Sequence, residues 1–184
     1  MGVYSKFNRP ILVVDYDPQW PILFEQEKKA IMAALGSRVP MIEHMGSTAV
    51  PGLAAKPVID IAVGIQSLAD APVLIPCIEQ LGYIYDPILE QLVPERRFFW
   101  KGTSMVHTYH LHLAEPDHPV LLKPLQFRDY LRKHTDAAEE YGVLKRELAK
   151  SCVQDLDAYV AGKTGFIENI MLQIEKESKK HRAA

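Results

Sequence analysis

Three short stretches carry residues whose types and spacing can do chemistry: Met45-Gly46-Ser47-Thr48, the lone Asp60 in an apolar run, and His110-Leu111-His112. Gly46 lacks a Cβ, so the backbone there can approach a ligand or another chain segment closely. Ser47 and Thr48 add hydroxyls, and consecutive backbone amides around them can form an anion-binding nest. A helical turn opening at Ser47 would add positive potential for a phosphate. Asp60 sits between Val58-Ile59 and Ile61-Ala62-Val63. An unpaired buried carboxylate is costly, so Asp60 needs a metal, a cation or a wet cleft; otherwise it lies at a strand end and bonds to a loop.

His110 and His112 alternate with leucines, which places both imidazoles on one face of a strand. With Asp60 they could form a His-His-carboxylate site, to which His44 and Glu43 are candidate further ligands. Imidazole suits Zn²⁺ and Mn²⁺, whereas Mg²⁺ prefers oxygen. The same histidines could instead contact a substrate phosphate, or be satisfied by the backbone. An imidazole can also act as a general base, because its ordinary pKa of about 6.5 lies near working pH.

Of the adjacent Arg96 and Arg97, only one can share the histidine face, and Arg97 is the candidate phosphate contact. Arginine offers a planar fork suited to phosphate. Lys56, just before Pro57, can reach a phosphate or remain a surface charge. Lys145 and Lys163 fall in helical sequence, where most lysines are solvated.

These residues need strands and helices to position them. The apolar pattern predicts strands at 11–14, 39–44, 57–65, 97–101 and 107–114. It predicts helices at 18–35, capped by Asp17 and stopped by Gly36, and at 68–81, opened by Ser67 and closed by Gly82. After Asp117 the periodicity is helical throughout, over 119–134, 135–152 and 156–180. Strands first and helices last predict an α+β domain with helices on a mixed β-sheet. The 184 residues favour a single domain, 1–184.

A formal net charge of −2, from 21 basic and 23 acidic residues, supplies no global field for nucleic acid. No apolar run approaches the roughly 20 residues a membrane helix needs. Met1-Gly2 with Ser5 matches a myristoylation signal only partly and is discounted. Cys77 and Cys152 are far apart and lack metal spacing, which reads as reduced thiols in the cytoplasm.

Met45-Gly46-Ser47 followed by Ile59-Asp60-Ile61 resembles the signature of polymerase β-type nucleotidyltransferases. Within that superfamily the run EHMGSTAVPGLAAKPVIDI resembles the GrpB family. The likeness extends over Tyr16-Asp17-Pro18 with Trp20, Arg96-Arg97-Phe98, His110-Leu111-His112-Leu113, Phe127 to Arg132, and on to Tyr159, Lys163 and Phe166-Ile167. It implies a nucleotidyltransferase-like fold with a helical C-terminal part. It also implies that Lys163, with Lys145 second, faces the cleft and grips a polyphosphate.

The catalytic pattern has a second carboxylate two residues after the first, which together hold a divalent metal, Mg²⁺ or Mn²⁺, with Zn²⁺ an option for the histidines. Here that position is Ala62. The resemblance therefore implies either metal-assisted nucleotidyl transfer from a nucleoside triphosphate to a small acceptor, or a module that only binds a nucleotide-like metabolite. Members of the family fused to dephospho-CoA kinase extend the second reading to coenzyme A-related ligands.

Overall fold

The computed structural model describes residues 11–182, so the discounted Met1-Gly2-Ser5 signal lies outside the described residues. Helix α1 (Gln19–Leu35) leads to β1 (Met41–Met45), and a 3-10 turn at Ser47–Ala49 precedes β2 (Ile59–Gly64). Helix α2 (Ala71–Gln80), β3 (Ile84–Tyr85), β4 (Arg97–Gly102) and β5 (His107–Ala114) follow. The chain closes with α3 (Pro119–Lys133), α4 (Thr135–Ser151) and α5 (Leu156–Arg182).

The strands form one mixed sheet in the order β1-β2-β5-β4-β3, with β2 and β5 parallel and the other pairs antiparallel. The expected α+β architecture, a mixed sheet flanked by helices with a helical C-terminal part, is what the chain adopts. Alternation divides β2 and β5 between two faces. Ile59, Ile61, Val63, Leu111 and Leu113 enter the main core beneath α1 and α2. Ala62 and Ala114 lie on the other face, against Leu121 and Leu125 of α3.

The start and stop signals act largely as read. Asp17 Oδ1 accepts from the Gln19 amide at 2.9 Å, and Gly36 ends α1 at φ 62° with its amide on the Met32 carbonyl. Ser67 accepts from the Ala69 amide, but it opens a 3-10 turn (Leu68–Asp70) and α2 starts only at Ala71, with Pro72 in its first turn. The strand expected at 11–14 reduces to an isolated bridge between Val14 and Ala55. Two residues of pairing suffice for β3, and so short an edge carries no alternation to read.

Candidate functional site

β2 and β5 pair with Asp60 opposite His110 and Ala62 opposite His112, which brings the carboxylate and both imidazoles to one face. Asp60 Oδ1 is 3.1 Å from His110 Nδ1 and 3.7 Å from His112 Nε2. A carboxylate only accepts, so His110 donates from Nδ1. In the neutral ring Nε2 then accepts from His107 Nδ1, 2.9 Å away. His107 is stacked on Trp100, with centroids 4.2 Å apart.

Burial alone would raise the Asp60 carboxyl, but the hydrogen bonds and charge of His110 and His112 overcome it and hold the group far below the usual range. Burial lowers His112 to about 4, with Arg96 and His110 adding and Asp60 opposing.

Arg96, not Arg97, is the guanidinium on this face. Phe98 pairs with His112, so positions 96, 98 and 100 share the histidine side, and Arg96 Nη1 lies 3.0 Å from His112 Nδ1. Arg97 pairs with Leu113, faces away, and bonds to the Pro94 carbonyl and Glu90. The sequence could not separate the two, because Phe98 and Phe99 are both buried and no polar alternation marks the faces.

His44 is also on the far face. It pairs with Ile61, lies 3.0 Å from the Thr48 hydroxyl and stacks on Phe24 of α1, and burial lowers it to about 4. That position removes it from the candidate ligand set.

Gly46 earns its glycine from Asp60. It has φ 74°, and a Cβ there would meet Asp60 Oδ2 at 2.6 Å. The close approach expected at this position is therefore met within the protein itself. Three basic residues on the helices then fix the loop by its carbonyls. Arg128 donates to His44 O at 2.7 Å and Glu43 at 2.9 Å, Arg132 donates to Ala49 O at 2.9 Å, and Lys145 donates to Ala54 O.

Beside Asp60 and His110 a cavity of about 250 Å³ is lined by Ser47, Thr48, Lys56, Lys145, Tyr159 and Lys163, among others. Six predicted positions beyond Asp60 thus converge on it: Ser47, Thr48, Lys56, His110, Lys145 and Lys163. Thr48 contributes less than expected, because its hydroxyl donates to the Val58 carbonyl at 3.1 Å. His112 stands behind His110, and its register partner Phe98 packs edge-on to both rings.

Lys145 is 2% exposed and caps the Tyr141 ring, while Lys163 caps Tyr159, each at 4.5 Å. Burial, with Lys163 and Arg146 adding, lowers Lys145 to about 7. Burial, with Lys56 adding against Asp60, lowers Lys163 to about 8. Both amines therefore change charge near neutrality.

One oxygen and two imidazole nitrogens within 4.8 Å of one another have the spacing and chemistry for a divalent ion such as Mn²⁺ or Zn²⁺. Asp60 fits that role directly, and His110 fits it through Nδ1 once its proton moves to Nε2 and His107 Nδ1 accepts from it. His112 fits conditionally. Arginine can only donate, so the Arg96 contact puts the His112 proton on Nε2, the atom nearest Asp60. Ligation through His112 requires Arg96 to leave.

Sequence reasoning also missed His107. Three residues before His110, it would face the other way in a regular strand, and the register shift at Lys101/Gly102 alters that count. Gly102, at φ 128°, is the residue that permits the bulge; a Cβ there would meet Val106 O at 2.3 Å.

The mixed sheet thus presents a Gly-Ser loop beside a single strand carboxylate. The family model described as "GrpB protein" matches residues 10–173, and the chain belongs to that family. The crystal structure of conserved protein GrpB from Enterococcus faecalis matches with a TM-score of 0.80 at 36% identity, covering 94% of this chain and 100% of that one. UPF0157 protein YqkA of Bacillus subtilis is 34% identical over 161 residues, 88% of this chain and 46% of that protein. A dephospho-CoA kinase of Mycolicibacterium paratuberculosis is 31% identical over 179 aligned residues, 84% of this chain and 43% of that protein. The chain thus spans about half the length of these last two relatives.

Proposed function

We propose that the protein binds a nucleoside triphosphate in the cavity beside Asp60 and transfers its nucleotidyl group to a small acceptor, the bond from the acceptor to the α-phosphorus forming as the α–β phosphoanhydride bond breaks and pyrophosphate leaves. The observation that carries this reading is the convergence of one ionised carboxylate with Ser47, Lys56, Lys145 and Lys163 around one space. Cations and hydroxyls oppose the charge of a polyphosphate, and holding the transferred group in line is most of what phosphoryl chemistry asks of a protein. Lys145 and Lys163 bind the terminal phosphates. Asp60, kept ionised by the imidazoles, faces the reacting phosphate. His110 orients Asp60 through Nδ1, and His107 fixes His110 in turn.

A divalent metal would be held by Asp60 and His110, with His112 joining once Arg96 moves, and would supply charge neutralisation at the transferred phosphate. Neither imidazole of the pair presents a bare nitrogen to the cavity in this arrangement. Their role is therefore to position and charge Asp60, and not to take a proton from the acceptor themselves.

A second reading is a module that binds such a ligand without turnover. Ala62 favours it: the second carboxylate position is apolar and fully buried against α3. The likeness to part of a dephospho-CoA kinase adds coenzyme A precursors to the ligands worth testing. Thermal unfolding against nucleotides and those precursors, each with EDTA, Mg²⁺, Mn²⁺ or Zn²⁺, separates the two. A ligand at about 100 times its Kd adds roughly 2.7 kcal/mol to stability. A metal-dependent shift with a triphosphate, lost in Asp60→Asn and Ser47→Ala, supports transfer. A shift indifferent to metal, or one with a coenzyme A precursor alone, supports the binding module, and no shift with any of these ligands contradicts both.

A further inference from the structure

A second cavity, of about 240 Å³, is lined by Gly46 and Ser47 of the same loop. Its walls are of different chemistry. Val50, Phe127, Leu131, Tyr141, Ile167 and Met171 make it apolar, and they come from the loop and from all three C-terminal helices. Ser47 lines both cavities.

Tyr141 lines the second cavity and touches a residue of the first. Its ring edge meets Phe127, with centroids 5.3 Å apart, on the apolar side, while Lys145 of the first cavity caps its face. Burial, with Tyr159 and the Asp60 charge adding, holds its phenol above the ordinary value.

We propose that this apolar cavity receives the nucleoside end of the triphosphate, whose phosphates occupy the lysine-lined cavity. The inference rests on the reading given under Proposed function and extends it to the part of the ligand that carries no charge. A ligand crossing Gly46-Ser47 would set its first phosphate beside Asp60 and its terminal phosphates between Lys145 and Lys163. Its planar apolar part would leave water for a pocket with a few polar groups at its rim, the ordinary composition of a small-molecule site. Lys123 and Arg128 stand at that rim, and Arg128 is already paired with Glu43 and Asp129.

Filling the cavity tests this. Ile167 and Met171 are half-buried positions on α5, where a larger side chain can enter the space without displacing the closed core. Ile167→Trp and, separately, Met171→Trp are titrated by calorimetry with inorganic tripolyphosphate and with ATP, GTP, CTP and UTP. Lys163→Ala serves as the control that weakens both kinds of ligand.

The expected result is that the wild-type protein binds its preferred triphosphate more tightly than tripolyphosphate. Each tryptophan variant should then lose about tenfold or more of the triphosphate affinity while keeping tripolyphosphate within about twofold. Equal losses for the two ligands, or no loss with either variant, overturn the proposal and leave the phosphate reading intact. Wild-type protein that binds neither ligand overturns the phosphate reading and this inference with it.

Discussion

The two faces of the central sheet are built from the same strands and do opposite work. Under α1 and α2, Ile59, Ile61, Val63, Phe99, Leu111 and Leu113 are all 2% exposed or less, and the face is sealed. Under α3, α4 and α5 the neighbouring positions are Asp60, Ala62, His110 and His112, and the helices leave one cavity beside Asp60 and His110 and another along the Gly46-Ser47 loop. Burial of apolar surface is concentrated on the first face, which therefore carries most of the stability. The second gives up close packing to hold charge in a partly dry space. One residue of register in β2 would exchange the two sets, so the hydrophobic pattern that fixes the core also fixes where Asp60 points.

Substitutions on the two faces should separate cleanly. Ile61→Ala should cost about 2–5 kcal/mol in urea unfolding and leave ligand affinity nearly unchanged. Asp60→Asn should remove the metal-dependent response, and some stability at neutral pH with it, because the imidazoles favour the ionised carboxyl. If a folded Ile61→Ala protein loses the metal-dependent response as Asp60→Asn does, the division of labour between the faces breaks.

A smaller effect sharpens the chemistry of the open face. Arg96→Ala removes the donor that keeps the His112 proton on Nε2, and should tighten Mn²⁺ or Zn²⁺ binding by about tenfold in calorimetry. Unchanged or weaker binding would mean that His112 takes no part in metal ligation.

The smallest effect is in pH. Lys145 and Lys163 are lowered to about 7 and about 8, so the empty protein binds fewer protons there than the unfolded chain does. Stability lost to burying these charges is fully lost below about 7 and is recovered as pH rises toward the ordinary lysine range. The same rise removes positive charge from the cavity. Between pH 7 and 9 the unliganded protein should therefore gain stability from these groups while its affinity for tripolyphosphate falls several-fold. Parallel changes in both quantities would contradict the cavity placement of the two amines.

Much of this was legible in the sequence, for identifiable reasons. Strict alternation in His110-Leu111-His112-Leu113 announced both the strand and its faces. The glycine before Ser47 and the lone carboxylate at Asp60 announced a close approach and a site. Caps at Asp17, Gly36 and Ser67 placed helix starts and stops to within a few residues. What stayed hidden depended on pairing. Arg96 and Arg97 can be told apart only through the register of Phe98 against His112, and His107 is altered by a bulge at Gly102. His44 reads as a site residue beside the Gly-Ser loop, yet its ring is committed to Phe24 and Thr48. Lysines on helices look like solvated charges until α4 and α5 are packed over the sheet, and then Lys145 is among the most buried polar side chains.

The most direct test of the central claim is to map where an anionic, amine-reactive probe attaches. Pyridoxal phosphate combines a phosphate with an aldehyde that condenses with an unprotonated lysine, and borohydride reduction fixes the product for peptide mapping. The account predicts labelling chiefly at Lys163, with Lys145 second, and protection by a nucleoside triphosphate. Label spread over exposed helix lysines such as Lys176 and Lys179, unaffected by any triphosphate, would contradict it.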